Sequence, residues 1–306
     1  MSNQWLEIKS LKEGIDACKK ASVPRLSETN DAVSLNHPAQ IYNYAAAYGT
    51  DLITTKHLDI LKTSPTYCHL YATHVLKGRF SEGEAAISKI PNASFYYAKN
   101  ALKGRFFQGE KILSTCPLHA YKYAFEILKG RFLEAEETIL LNSQYACLYA
   151  RDVLQNRWPE AEEKISQNPS HSLEYALKVV KGRWKQGEAA IAKTPYSALG
   201  YAKYIIKGRW EEGEKAISTD SEYVYQYANE VLKSRFPLGE DALLNDPRRL
   251  PSMVLDYTIN VVKGRWIEGE KTFLPFRHLR EQYEEFLQSK LDNFIFQEIN
   301  HVESMA

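Results

Sequence analysis

Apolar and polar positions follow a helical period along this chain, and the whole pattern recurs every 26 residues. In the stretch KGRWEEGEKAI, which begins at Lys207, an aromatic, a small and an aliphatic residue follow the arginine at +1, +4 and +8, on one side of a helix. Upstream of the same arginine, a second helical stripe falls at −8, −7, −4 and −3: Tyr201, Ala202, Ile205 and Ile206. Each period therefore predicts two short amphipathic helices joined by a turn.

The arginine of each turn is taken as position zero of its repeat. Eight arginines hold this position, with intervals of 26 residues and a last interval of 30: Arg79, Arg105, Arg131, Arg157, Arg183, Arg209, Arg235 and Arg265. Every repeat also has tyrosine at −8, phenylalanine or tryptophan at +1 and glutamate at +5. One period upstream, Ala46, Leu58 and Pro65 keep the register while Ile53 replaces the arginine, which indicates a ninth, degenerate repeat.

A helical pair of this length cannot bury its apolar stripe alone, but stacking on its neighbours buries it. We therefore predict an all-α fold, an α-solenoid of about nine 26-residue helix-turn-helix repeats with a helical cap at each end. The predicted boundaries are 1–40 for the N-terminal cap, 41–274 for the solenoid and 275–306 for a C-terminal capping or oligomerisation helix. The last segment carries one apolar face: Leu279, Tyr283, Phe286, Leu287, Leu291, Phe294 and Ile295.

The turn itself suggests how the first helix of each repeat ends. A glycine such as Gly208 usually precedes the arginine and is expected to close the helix in a left-handed conformation. In the variants QNRW and KSRF, Asn156 and Ser234 stand in that place and are expected to adopt the same conformation.

Composition and charge argue against several classes of protein. The 39 basic and 38 acidic side chains leave a net charge of +1, which argues against a dedicated polyanion binder. No apolar run is long enough for a membrane helix, the first residues lack a secretory pattern, and the four cysteines show no pairing motif. We expect a cytoplasmic protein without a cofactor, a metal or a membrane contact.

The motif Tyr-Ala…Lys-Gly-Arg-Trp/Phe-x-Glu-Gly-Glu resembles the KGRW-type tandem repeats of proteins from tailed bacteriophages and large viruses, over roughly residues 65–275. The resemblance implies a helical-repeat protein in the cytoplasm of an infected host cell, and it implies no particular activity. The period differs from those of tetratricopeptide and ankyrin repeats, so the peptide-binding habits of those families do not transfer.

The turn arginines and the tyrosines at −8 each allow two interpretations, a contact with phosphates or bases and a structural role. A row of arginines suits phosphate binding, but a glutamate at +5 recurs with every one of them. Because an arginine in a bidentate carboxylate pair is a poor phosphate ligand, we predict that each is paired with a glutamate of its own repeat or the next. The tyrosines at −8 are able to stack bases, but their place on the apolar stripe favours core packing with a hydroxyl that reaches a partner.

No arrangement of residues indicates catalysis or metal binding. Gly208 and Gly213 have the spacing of a phosphate-binding loop, but a glutamate stands where such a loop needs lysine, and a helix precedes it. Cys68, His69 and His74 are the closest group of possible metal ligands, and no second pair converges on them. We therefore predict a protein that is not an enzyme.

Position −5 varies between repeats on an otherwise constant frame, as recognition positions of repeat proteins do. The candidate partner-binding residues there are His74, Asn100, Glu126, Asp152, Lys178, Tyr204, Glu230 and Asn260. A solvated helix surface would vary in the same way, so both interpretations stay open.

The longer interval between Arg235 and Arg265 predicts a loop that projects from the solenoid. Arg248 and Arg249 in this loop have no recurring glutamate, so we expect them to be unpaired and to face a partner. A surface loop without a role is the alternative.

The preferred function is a non-catalytic helical-repeat scaffold that binds another protein, a host factor where the viral resemblance holds. The alternative is nucleic-acid binding with one nucleotide per repeat. A homo-oligomer formed through the C-terminal helix also stays open.

Overall fold

The computed structural model describes residues 35–246, 248 and 251–305, and within these ranges the chain is helical with no strand. Two compact units are present, Met1–Gln155 and Asn156–Ala306, and the same two-helix repeat runs through both. The predicted all-α solenoid is confirmed. Most of the predicted N-terminal cap, residues 1–40, lies outside the described residues, and the first described helix already begins at Pro38.

In the first unit, the first helix of each repeat packs against the first helix of the next. The α-helices of this unit are Pro38–Tyr48, Thr55–Leu61, Pro65–Leu70, Glu84–Ile87, Pro91–Tyr96, Phe107–Leu113, Pro117–Tyr123, Glu136–Leu140 and Ser143–Tyr149. The 3₁₀ turns Ser81–Gly83 and Leu133–Ala135 lead into two of the second helices.

The second unit repeats the same pairing and ends in a long helix. Its α-helices are Pro159–Ile165, Pro169–Tyr175, Lys185–Ile191, Pro195–Tyr201, Glu211–Ile217, Ser221–Gln226, Pro237–Leu244, Pro251–Tyr257, Ile267–Phe273 and Arg277–Met305. Proline at the first helical position begins most first helices in both units, where its missing N–H costs nothing.

In the eight repeats that have a turn arginine, the first helix widens into a π-helix before it reaches the turn, a feature that the sequence did not predict. The carbonyl of the alanine at −7 accepts two N–H groups, so that Ala202 binds those of Lys207 and Gly208. These i→i+5 and i→i+6 bonds replace the α-helical pattern at the end of the helix. The π segments are Tyr71–Leu76, Tyr97–Leu102, Ala124–Leu128, Ala150–Leu154, Ala176–Val180, Ala202–Ile206, Tyr227–Leu232 and Thr258–Val262.

The left-handed residue of each turn is the one at −2, and the prediction that placed it at the glycine is wrong. Lys207 has a φ of 58°, and seven further residues at −2 share this conformation: Lys77, Lys103, Lys129, Gln155, Lys181, Lys233 and Lys263. A Cβ on Gly208 would meet no atom within 4 Å, and the glycine needs no positive φ. Asn156 and Ser234 therefore stand at that position without adopting the left-handed conformation expected of them.

The small residue at +4 makes room for the aromatic ring at +1 of its own repeat. A Cβ on Gly213 would lie 2.5 Å from the ring of Trp210 and 3.0 Å from Ala198 of the first helix. The Trp210 ring in turn packs against Tyr201, with 4.8 Å between ring centroids. The tyrosine, the aromatic residue and the small residue thus form the core of each repeat, as their shared periodicity predicts.

Candidate functional site

The turn arginines are paired with the glutamates at +5 of their own repeats. Arg183 donates from Nε and Nη2 to the two carboxylate oxygens of Glu188, at 2.7 and 3.2 Å. All eight repeats form the same bidentate pair. The arginine side chains are 46–66% exposed and the glutamates only 5–14%. The predicted pairing is confirmed, always within one repeat.

The tyrosine of the following repeat joins each pair. The hydroxyl of Tyr201 donates to Oε1 of Glu188 at 2.9 Å and accepts the backbone N–H of Trp184 at 2.8 Å. We name this set the turn clasp: the arginine at 0, the N–H at +1, the glutamate at +5 and the next tyrosine. The tyrosine–glutamate bond occurs at eight places, with lengths of 2.8–3.1 Å. The hydroxyl partner expected from the sequence is therefore a group of the preceding repeat.

Burial and hydrogen bonding compete in setting the pKa of the clasp carboxylates. Burial alone would raise the pKa of Glu188, but the hydrogen bonds from Arg183 and Tyr201 outweigh it, and the pKa lies below its ordinary value. The pKa values of Glu136, Glu162 and Glu270 are lowered as well. Burial, together with the bond to Glu188, raises the pKa of Tyr201 to about 12. At neutral pH the clasp therefore joins a carboxylate anion to a neutral tyrosine.

The junction before Tyr71 differs from all the others. Ile53 and Leu58 occupy the positions of the arginine and the glutamate, and the N–H of Thr54 donates to Nδ1 of His57 at 3.1 Å. Tyr71 is only 3% exposed, and no hydrogen bond to its hydroxyl is present among the described residues. The degenerate repeat thus packs on its neighbour without a turn clasp.

All eight candidate residues at −5 lie within the π segments. Six of them are exposed, and Glu126 and Asp152 are half-buried. Four contact the preceding repeat: Glu126 pairs with Lys99, Asp152 accepts the hydroxyl of Tyr121, Glu230 pairs with Lys203, and Asn260 donates to Tyr225. Position −5 is therefore a surface position that is partly used to join neighbouring repeats.

The other four residues at −5 are less engaged. The ring of His74 lies 6.4 Å from that of Tyr42, and the ammonium group of Lys203 lies 5.2 Å from the ring of Tyr204. In the described part of the chain, the side chains of Asn100 and Lys178 make no polar contact. These residues remain candidates on grounds of exposure, and the structure brings no single cluster of them together.

Aromatic rings gather on the first helices of the first unit, which the sequence reasoning missed. They form three groups of neighbouring rings: Tyr42, Tyr67 and His74; His69, Phe95, Tyr96 and His119; and Tyr121, Phe125 and Tyr145. We name these residues the ring surface, although Phe95 and His69 among them are buried beneath the other rings. Phe125 is 47% exposed although it lies flat against Tyr121, with 6.0 Å between centroids. The signal in the sequence was the set of aromatic and histidine residues at −12 to −5 in the degenerate repeat and the four repeats that follow it.

Arg248 is paired, which corrects the expectation of an unpaired loop arginine. Its guanidinium group donates to the carboxylate of Asp246 at 2.7 Å and to the hydroxyl of Ser221 at 2.9 Å. The Asp246 side chain is only 5% exposed, so the arginine neutralises a nearly buried carboxylate. Arg249 lies outside the described residues, and its predicted role stays a prediction.

The described residues contain neither a metal site nor a membrane-spanning helix. Within residues 35–246, 248 and 251–305, no three His, Cys, Asp or Glu side chains converge on a possible metal site. Burial raises the pKa of the Cys68 thiol to about 12 and lowers the pKa of His69 to about 4, as expected for side chains packed in a core. No helix in these ranges is both long enough and apolar enough to cross a bilayer.

Comparison of the chain with protein-family models, with curated proteins and with solved structures gave no match. The likeness to viral KGRW-type repeats therefore stays a prediction.

Proposed function

We propose that the chain is a non-catalytic scaffold that binds another protein through the first helices of its repeats. One observation carries this proposal: the arginine–glutamate and glutamate–tyrosine contacts of the turn clasp recur in all eight repeats, whereas the exposed residues on the π segments differ from one repeat to the next. A constant frame holds the varied residues at regular intervals, which is how repeat proteins present a recognition surface.

The ring surface is the part of this face best suited to a protein partner. Binding energy at protein interfaces concentrates in tyrosine, tryptophan and arginine side chains, which bury a large area at a small entropic cost. The ring surface combines exposed Phe125 with half-buried Tyr42, Tyr67, Tyr96 and Tyr145, whose neighbours already restrict the rings. The likeness to viral repeat proteins supports a host protein as the partner.

A matched pair of substitutions in one repeat tests the proposal. Co-purification with mass spectrometry first identifies a binding protein, and Phe125→Ser is then compared with Leu133→Ser. Phe125 lies on the first helix and is 47% exposed, and Leu133 begins the second and is 64% exposed. Loss of a central aromatic contact should weaken binding about tenfold or more, and Leu133→Ser should leave it unchanged. Equal affinities for both variants and the parent chain would exclude the ring surface.

One observation favours nucleic acid as a second candidate. The lysines at −2 are exposed and form no ion pair within the described ranges: Lys77, Lys103, Lys129, Lys181, Lys207, Lys233 and Lys263. Against it, every turn arginine is already paired, and the net charge is only +1. This alternative would be favoured by nucleic acid that co-purifies with the chain and binds more weakly as the salt concentration rises. Replacement of three turn lysines by glutamine should then abolish this binding.

A further inference from the structure

Only the first part of the C-terminal helix Arg277–Met305 is docked on the repeats. The hydroxyl of Tyr283 donates to Oε1 of Glu270 at 2.8 Å, with the 13-residue separation found in most turn clasps. Leu279 and Tyr283 are 5% and 3% exposed. This part of the helix therefore takes the place of the first helix of a further repeat.

From Gln288 to Ile295 the helix lacks such support. Every side chain from Gln288 to Ile295 is exposed, and among them Leu291, Phe294 and Ile295 are 52%, 61% and 47% exposed. At 1.5 Å per residue, the stretch from Gln288 to Met305 is about 27 Å long. Most of the stability of helices in proteins comes from the packing of an apolar face, so an apolar face on such a stretch normally packs against a partner.

We propose that a second copy of this chain covers this face, in a parallel, two-fold symmetric helix pair centred on Leu291. The exposed apolar stripe consists of Leu291, Phe294 and Ile295, together with half-buried Leu287. A two-fold pair uses the same stripe on both copies, so the exposed residues of one cover those of the other.

The charges beside the stripe favour a second copy of this chain as the partner, and they favour a parallel orientation of the two helices. Because successive helical residues are about 100° apart, Lys290 and Asp292 flank Leu291 on opposite sides. In a parallel pair the two-fold axis runs along the helices and turns the lysine side of one copy toward the aspartate side of the other. An antiparallel pair would place lysine side against lysine side. The parallel pair therefore gains two sets of opposite charges.

Both charges are available for such contacts. Lys290 lies over the ring of Phe286, with 5.8 Å from Nζ to the centroid, and Asp292 accepts a hydrogen bond from Gln288 at 2.8 Å. Neither has an ion pair in the part of the chain that the structure describes. Tyr283 points about 80° away from Leu291 around the helix, so pairing along the stripe leaves the contact with the last repeat intact.

The association state over a range of protein concentrations, measured by sedimentation equilibrium, tests the proposal. The parent chain should form a reversible dimer, because a contact of this length lies at the small end of protein interfaces. Leu291→Ser should leave only monomer. Leu238→Ser, at a residue that is 60% exposed in another helix, should not affect the dimer. Helical content measured by circular dichroism shows that each variant is folded.

A charge swap tests the direction. Lys290→Glu alone should weaken the dimer about tenfold, and adding Asp292→Lys should restore most of the affinity. Residues i and i+2 do not face each other on one helix, so any coupling between these positions reports a contact between two copies. Lys271→Glu, at another exposed lysine, is the matched control and should leave the dimer unchanged.

Cross-linking gives an independent readout of direction. Ile295→Cys should form a disulfide with itself in a parallel pair, whereas in an antiparallel pair centred on Leu291 it would meet position 287 instead. A chain that stays monomeric at all concentrations would overturn the proposal, even where the stripe binds a different protein. Cross-links only between Ile295→Cys and Leu287→Cys chains would overturn the parallel arrangement.

Discussion

Two junctions between repeats, one in the first unit and one in the second, show what the turn clasp adds to the stacking of the repeats. Before Tyr201, a carboxylate, a backbone N–H and a hydroxyl are all satisfied, whereas Tyr71 follows a repeat with Leu58 in place of the glutamate. Both tyrosines are nearly buried, and both pack on the aromatic ring at +1 of their own repeat, with centroid distances of 4.8 and 5.3 Å. Apolar packing alone therefore stacks the repeats, and the clasp adds specific hydrogen bonds across the junction.

The largest loss of stability is expected when the clasp glutamate is replaced by leucine, the residue at the same position of the unclasped junction. Glu188→Leu removes the acceptor of the Tyr201 hydroxyl and the partner of Arg183, at an expected cost of about 2–3 kcal/mol in the free energy of unfolding. Urea denaturation followed by tryptophan fluorescence measures this, since Trp184 reports on the altered junction.

Reversal of the two charges tests the pairing of Arg183 with Glu188. Arg183→Glu should destabilise the chain, and addition of Glu188→Arg should recover part of the loss. Single substitutions whose effects simply add would mean that the two side chains are not coupled.

The next largest effect should come from the hydroxyl alone. Tyr201→Phe keeps the ring but removes the donor to Glu188 and the acceptor of the Trp184 N–H, which should cost about 1–2 kcal/mol. Tyr71→Phe removes a hydroxyl without a hydrogen bond and should change stability by less than about 0.5 kcal/mol. The two urea midpoints give the comparison, and similar losses at both sites would contradict it.

Acid should weaken the clasped junctions selectively. The folded pKa of Glu188 lies below its unfolded value of about 4.3, so its stabilising contribution is complete above that value and is lost as the pH falls through the lower folded pKa. The urea midpoint should therefore be flat near neutrality and fall below about pH 5. In Glu188→Gln the dependence should be shallower, and an unchanged slope would show that this carboxylate is not responsible.

The smallest effects on stability are expected in the turn, where the residue at −2 is left-handed and the residue at −1 is not. Lys207→Gly should stabilise the chain by up to about 1 kcal/mol, because glycine adopts the left-handed conformation without the strain of a Cβ. Gly208→Ala should be neutral or slightly stabilising, since a Cβ there meets nothing. Thermal unfolding of the two variants distinguishes this assignment from a left-handed glycine, for which the second change would be destabilising.

The sequence predicted the elements of this fold better than their ends. Helical periodicity and the repeat length were enough for the solenoid, and the joint recurrence of arginine and glutamate was enough for their pairing. The left-handed Lys207 was missed because propensity favours the adjacent Gly208, whereas the hydrogen bonds to the Ala202 carbonyl determine the conformation. A π turn shifts the apolar stripe too little over five residues to be visible in the pattern.

The candidate site was harder to predict, because contacts between repeats decide it. The constant 13-residue separation of Glu188 from Tyr201 is visible in the sequence, but nothing local shows that the two side chains meet. Pairing of Arg248 was missed because this arginine lies in the one longer interval and has no counterpart in the other repeats from which a partner could be inferred. The surface role of position −5 was visible from its variation, and its contacts with preceding repeats were not.

Because the tyrosine that follows each arginine–glutamate pair completes the junction of the repeat before it, a deletion should remove a full 26-residue period and keep the register of the remaining repeats. Removing 26 residues between equivalent positions, such as 186–211, would leave a glutamate 13 residues before the next tyrosine. The interval before Tyr257 is four residues longer, yet this tyrosine still donates to Glu240 at 3.0 Å. The link between a second helix and the next first helix is therefore a place where foreign sequence can be grafted, whereas the stretch from arginine to glutamate is not. A chain shortened at its C-terminus should keep Tyr283, or Glu270 would lose its hydroxyl donor.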